Sequence, residues 1–366
     1  MTAQRKSAIW LGYLLSFSLA SACADKPLES RHKVTSPRIL AMIAEPPEAR
    51  PGESIAVRVV TGGTQSDPPN FTWYFCARAE GTTNFVAQST FGQAEPNDAC
   101  FGDAGANVVR LPFRGDTAVV TIPADLLAQI EALRAVYGNG LSAAALQTIV
   151  RTAGLPLTLA VEMRAANGDG GVTVERALKR VVVVDRAARN HNPPGPSFRF
   201  GVGPDGGPGG VPMRYVPMTD PERCEPADNA GPLRVRPSEV VELAPDPTED
   251  PWLEDYTILD SAGRVAQTRE TAFYSFYSTG GSYRDDRTRI PTRNTLWEAP
   301  QRLGDITHWM VVRDGRGGTS ACRYTLTVTR DGGGLDQRDA AAMGDSASDA
   351  RTDVSAMDAS VPMDAR

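Results

Sequence analysis

Histidine is nearly missing from this chain: three residues in 366, His32, His191 and His308. That leaves little material for proton transfer near neutral pH or for imidazole ligation of a metal. Cysteine is sparse as well. Its five residues form neither a Cys-x-x-Cys pair nor a Cys/His cluster, so no zinc ribbon and no dithiol redox motif is written here. A Gly-x-Ser-x-Gly elbow, which would expose a serine nucleophile, is missing too. Positive charge is not in excess: 38 Lys and Arg stand against 44 Asp and Glu, a formal charge of −6, and no basic stripe is present. That argues against a nucleic-acid partner. The expectation from these absences is a chain with no catalytic residues, no cofactor and no metal ion.

What is abundant is turn-forming residues, 34 Gly and 28 Pro, in a chain with an ordinary 41% of hydrophobic residues. Many short strands joined by tight turns are expected, rather than long helices. The N-terminus is organised differently. Arg5 and Lys6 precede the apolar stretch Ala8–Ala20, which is too short for a comfortable membrane span. The small residues Ala20-Ser21-Ala22 then lead into Cys23. Charge, apolar core and small residues in that order read as a secretion signal over residues 1–22. A Cys directly after the small residues resembles the lipobox of bacterial lipoproteins, although Ala20 stands where that family prefers Leu. The resemblance implies cleavage before Cys23, acylation of its thiol (palmitate-type chains) and a place in the bacterial cell envelope, most readily the outer membrane. Residues 24–37 are polar and without periodicity, and are expected to form, with Cys23, a flexible tether over 23–37.

From Arg38 the pattern is strand-like. In Ser54–Val60, Ile55, Val57 and Val59 share one face; in Phe71–Cys76, Phe71, Trp73 and Phe75 do so. Leu157–Met163 and Leu178–Val184, joined through Asn167–Gly171, predict a hairpin. One stretch departs from period two. Ala124–Val136 places Leu126, Leu127, Ile130, Leu133 and Val136 at helical spacing, and a second short helix is expected up to Ala153. The polar, Pro-rich segment 186–197 divides a first domain, 38–185 with a helical insertion at 124–153, from a second at 198–330. The second holds strand candidates Leu233–Val235, Val240–Leu243, Tyr256–Leu259, Thr271–Tyr277, Trp309–Val312 and Cys322–Thr329. The turn Asp314–Gly318 is its strongest hairpin signal. From Asp331 onward eight Asp face three Arg and few large apolar residues remain, so 331–366 is expected to be a disordered acidic tail.

In an oxidising compartment the four cysteines after Cys23 suggest two disulfides, and four cysteines allow three pairings. Keeping each bridge within one proposed domain gives Cys76–Cys100 and Cys224–Cys322. Arg38–Arg58 followed by Phe71-Thr72-Trp73 resembles the opening of bacterial immunoglobulin-like modules. Asn294–Thr329 resembles the closing half of such a module, akin to PKD-like domains. The layout as a whole resembles lipoproteins of myxobacterial type. The resemblance implies an all-β fold of two tandem Ig-like β-sandwiches, with Trp73 central in the first and Trp309 in the second, and it supplies no catalytic residues.

The remaining motifs have bland readings. Gly201-Val202-Gly203-Pro204-Asp205-Gly206 matches GxGxxG in letters, but the Gly/Pro run after it cannot start the helix a dinucleotide fingerprint needs. Asp285-Asp286 and Glu249-Asp250 lack the spacing of a calcium loop. The aromatic run Thr271–Tyr277 must have one core face. If Tyr274 lay in solvent with Tyr283 and Trp297, the three would form a candidate patch for stacking on sugars or holding a protein. The expected function is therefore a non-catalytic envelope lipoprotein whose modules act as structural spacer or protein-binding units. Its partners would be the membrane, through the lipid, and an envelope protein or polysaccharide. The alternative is a carbohydrate- or polymer-binding accessory lipoprotein that uses the aromatics of the second domain.

Overall fold

The structure is a computed structural model. It describes residues 31–63, 67–76, 100–101, 108–126, 144, 148, 151–167, 170–186, 188–202, 214–215, 218–220, 225–226, 233–246, 251–259 and 264–331. These are nearly all strand and turn. The N-terminal half contributes β1 (Arg38–Glu45), β2 (Glu48–Ala49), β3 (Ser54–Gly62), β4 (Asn70–Cys76), β5 (Val108–Arg110), β6 (Thr117–Thr121), β7 (Leu155–Ala166) and β8 (Val172–Val183). The C-terminal half begins with β9 (Ser197–Val202), β10 (Arg214–Tyr215), β11 (Met218–Asp220), β12 (Glu225–Pro226), β13 (Leu233–Val235), β14 (Val240–Asp246) and β15 (Asp255–Leu259). It continues with β16 (Val265–Arg269), β17 (Phe273–Ser278), β18 (Ser282–Tyr283), β19 (Arg287–Arg289), β20 (Thr295–Glu298), β21 (Gly304–Arg313) and β22 (Thr319–Val328). None of the described helical residues belongs to a helix long and apolar enough to cross a membrane.

Each half surrounds its own core. In the first, the sheet β1-β3-β6 and the sheet β2-β8-β7-β4-β5 enclose Ile55, Val57, Trp73, Leu155, Leu159, Met163 and Val181. The alternation read in β3 decides this, because every second residue points inward. The hairpin of β7 and β8 pairs from Leu155↔Val183 to Ala166↔Val172, as its turn residues predict, and the Asn167 amide closes on the Gly171 carbonyl at 2.8 Å. In the second half, β13-β22-β21-β17-β19 and β10-β9-β14-β20-β18 enclose Phe200, Leu243, Tyr274, Phe276, Trp297, Met310 and Leu326. Of the helical insertion at 124–153, residues 144, 148, 151 and 152 are helical, with the Thr148 hydroxyl donating to the Ala144 carbonyl at 3.0 Å. Residues 124–126, where the first helix is expected to begin, form a turn ending in a single 3₁₀ residue, with the Leu126 amide on the Pro123 carbonyl at 3.1 Å, and residue 153 is a turn; residues 127–143, 145–147, 149 and 150 lie outside the described residues, as do the signal segment 1–22, Cys23 and the tail after Asp331.

Two expectations are corrected here. Trp309 does not fill the second core; Trp297 does, fully buried. In β21 the inward register belongs to Ile306, His308, Met310 and Val312, so Trp309 points the other way. It is nevertheless covered, because it meets Val34, Leu40, Ala41, Tyr277 and Val311 in a separate cluster between the two halves. Strands β17 and β21 are thus buried on both faces, one against their own core and one against the N-terminal half. The tether is also shorter than expected. His32–Val34 docks on the end of β17: Lys33 bridges Ser278 in parallel, the Val34 amide donates to the Ser278 carbonyl at 2.8 Å, and the Ser278 amide donates to the His32 carbonyl at 2.9 Å. Val34, an apolar residue in a mostly polar stretch, is 1% exposed and supplies the reason.

Candidate functional site: a buried charged clasp

The densest chemistry lies where the turn Asp314–Gly318 enters the N-terminal half. The Asp314 carboxylate accepts the backbone N–H groups of Arg316, Gly317 and Gly318 at 2.7, 2.8 and 2.9 Å, which organises the turn from within. Gly315 and Gly317 take φ of 79° and 139°, a region L side chains rarely adopt. Gly318 meets a different demand: a Cβ there would collide with the Asp314 carboxylate and lie 2.7 Å from the His191 carbonyl, so the 186–197 segment approaches this close only because residue 318 has no side chain.

The turn so held projects Arg316. Its Nε donates to Glu48 Oε1 at 3.0 Å and its Nη2 to Glu48 Oε2 at 2.9 Å, a bidentate pair across the two halves. Nη1 reaches Glu254 Oε2 and Glu270 Oε1, both at 3.4 Å, and the guanidinium carbon lies 5.0 Å from the centre of the Tyr256 ring. Glu48 also accepts from Arg186 Nη2 at 2.7 Å and from the Asn190 amide at 2.9 Å. Asn190 Nδ2 donates to Asp314 at 2.7 Å. From β8, Lys179 Nζ donates to the Gly317 carbonyl at 2.7 Å and to the Thr319 hydroxyl at 3.1 Å. The side chains of Glu48, Glu270 and Arg316 are 3, 2 and 7% exposed.

Burial dominates the electrostatics. It pushes the Glu270 carboxyl up to about 7, with Asp314 and Glu254 adding in the same direction and Arg316 opposing. It raises Asp314 against the hydrogen bonds from Asn190 and the turn. It lowers Lys179 to about 8 despite the nearby Asp314. One guanidinium is shared by three carboxylates, in an arrangement suited to holding two bodies in register. Among the described residues no group of three or more His, Cys, Asp or Glu is placed to hold a metal.

The residues proposed for a binding patch are brought together, but inside the core. Tyr274, Tyr283 and Trp297 are 2, 8 and 0% exposed and offer no surface for a ligand. The patch is corrected to core packing. His308 sits among them, fully buried, its Nδ1 2.8 Å from the Tyr283 hydroxyl and its ring edge-on to Trp297 at 4.6 Å. Asp285 is exposed, and Asp286 faces His32 at 3.7 Å. Gly201 ends within β9; the loop after Val202 lies outside the described residues, as do Glu249, Asp250 and Cys224. Cys76 ends β4, while Cys100 and Cys322 are buried.

Reasoning from the sequence did not find the clasp. Glu48 and Arg316 are 268 residues apart, and a single Arg inside a Gly-rich turn reads as a solvated residue. The only local signal was the turn itself.

No family model matches this chain and no curated protein does. Among solved structures, the red sea bream transglutaminase is 9% identical at a TM-score of 0.19, over 81% of this chain and 32% of that one. A Bacteroides ovatus protein of the mixed-linkage glucan utilization locus, SGBP-B, solved with a mixed-linkage heptasaccharide, is 12% identical at 0.18, over 81% and 48%. The D0–D1 domain of intimin is 10% identical at 0.16, over 80% and 99%. The chain spans about a third and about half the length of the first two. Likenesses this slight carry no argument about its fold or its chemistry.

Proposed function

We propose that this chain is a non-catalytic lipoprotein of the bacterial cell envelope, anchored through acylated Cys23, in which two Ig-like β-sandwich domains, 38–185 and 198–330, form a rigid spacer or protein-binding unit. The carrying observation is the bidentate Arg316–Glu48 pair, buried between the halves and braced by Arg186, Asn190 and Lys179. A buried pair of this kind contributes little net stability, but removing one partner strands the other and costs about 3–5 kcal/mol. Its use is in fixing one relative orientation, which a spacer needs. A disulfide in each domain, Cys76–Cys100 and Cys224–Cys322, belongs to this reading; the burial of both Cys100 and Cys322 supports it.

Distances between spin labels, one in each half, test the rigid reading. A narrow distribution that broadens in Arg316→Ala is the expected result; a broad distribution in the parent chain would overturn it. The anchor is tested separately, by the intact mass of the protein taken from membranes and by its release into the soluble fraction in Cys23→Ser.

A further inference from the structure

We propose that the sheet edge built by β19 and the docked segment 31–34 is a face that meets an anionic lipid surface. The two pieces share one side of β17. Phe273 and Ser275 pair with Arg289 and Arg287, the Phe276 amide donates to the Asp286 carbonyl at 2.9 Å, and the Ser278 amide then takes the His32 carbonyl. Residues 287–289 and 32–34 therefore follow one another along a single edge. Arg31, Lys33, Arg287 and Arg289 are all exposed along it. The acids of that stretch are Asp285 and Asp286, and Asp286 is turned to His32. The edge is thus positive in a chain that is negative overall.

The place where the chain leaves the fold names the occupant. Arg38 Nη1 donates to the carbonyls of Arg31 and Lys33 at 3.0 and 3.3 Å, and Val34 is buried, so the N-terminal segment is pinned at this edge. Cys23 lies eight residues before Arg31. At about 3.3–3.6 Å per residue, a fully extended connection keeps an acyl anchor within about 29 Å of the edge. This rests on the lipidation of Cys23 proposed above. An acyl anchor so tethered delivers these cations to a bilayer, where anionic headgroups attract them.

The test uses residues 23–366 carrying Cys23→Ser, which have no acyl chain, sedimented with phosphatidylcholine vesicles made with and without phosphatidylglycerol. Binding only to the anionic vesicles, weakened by added salt, is expected. Lys33→Gln and Arg287→Gln should each lower partitioning by roughly fivefold, and together by about 25-fold. Both side chains are exposed, so the double variant should unfold at the parent's midpoint. Equal binding to both vesicles, or undiminished binding by the double variant, would overturn the proposal. An unmodified Cys23 in the native membrane fraction, with anionic binding intact, would remove the anchor and leave the face standing. An acylated Cys23 without anionic preference would remove the face alone.

Discussion

At the scale of a single residue, His308 shows how burial sets chemistry. Its neighbours on the core side are Tyr283, Trp297 and Ser278, and no carboxylate is among its described partners. Burial lowers its pKa to about 3. In the unfolded chain it returns to about 6.5, so between these values the unfolded state binds the extra proton. Its contribution to stability is therefore present above about pH 6.5 and is lost as pH falls towards 3, at up to about 1.4 kcal/mol per pH unit. Unfolding midpoints measured from pH 7 to pH 4 should fall steeply in the parent and less steeply in His308→Leu. Equal slopes would show that His308 is not held neutral. The same residue marks a limit of sequence reading. Alternation placed a His in a strand; which face was sealed depended on Trp297, a neighbour on the opposite sheet.

At the scale of elements, the segment 32–34 adds a single bridge, Lys33 to Ser278, to a strand it precedes by more than two hundred residues. Its hydrogen bonds close the end of β17, where β19 stops short. Val34 fills the inter-half cluster beside Trp309 and Tyr277. Val34→Ala removes two buried methyl groups and should cost about 2 kcal/mol in chemical unfolding. It should also speed tryptic cleavage at Arg31 and Lys33. Unchanged cleavage would mean that the docking does not depend on Val34. The strands themselves were readable: β3, β4, β7, β8 and the β21–β22 pair all lie where alternation and turn residues put them. Short or polar strands were not. β16 (VAQTR), β19 (RTR) and β20 (TLWE) carry too few apolar residues for period two to register, and pairing with neighbours makes them strands.

At the scale of the whole molecule, the two cores are coupled through charge and through the Trp309 cluster. The clasp gathers Glu48, Glu254, Glu270 and Asp314 around Arg316, Arg186 and Lys179, an excess of one carboxylate. Glu270 resolves the excess by holding a proton to about pH 7. A carboxyl raised in the folded state stabilises most below its unfolded pKa, near 4.5, and that contribution is lost as pH rises through about 7. Lys179 adds an effect of opposite sign above about pH 8, where it is the unfolded chain that holds the extra proton. Glu270→Gln should therefore be more stable than the parent at pH 8 and about equal at pH 5, by chemical unfolding. A variant equally destabilised at both values would mean that the ionised carboxylate is what the clasp requires.

By itself the sequence determined the all-β character, the main strands, the principal turns and which faces are apolar, because these follow from local periodicity and backbone preference. Only the tertiary structure decided that Trp297 rather than Trp309 fills the second core, that Tyr274, Tyr283 and Trp297 are sealed, and that Arg316 reaches Glu48. Each of these depends on what covers a face or receives a side chain, and the covering residues lie tens to hundreds of positions away, beyond the reach of any local pattern.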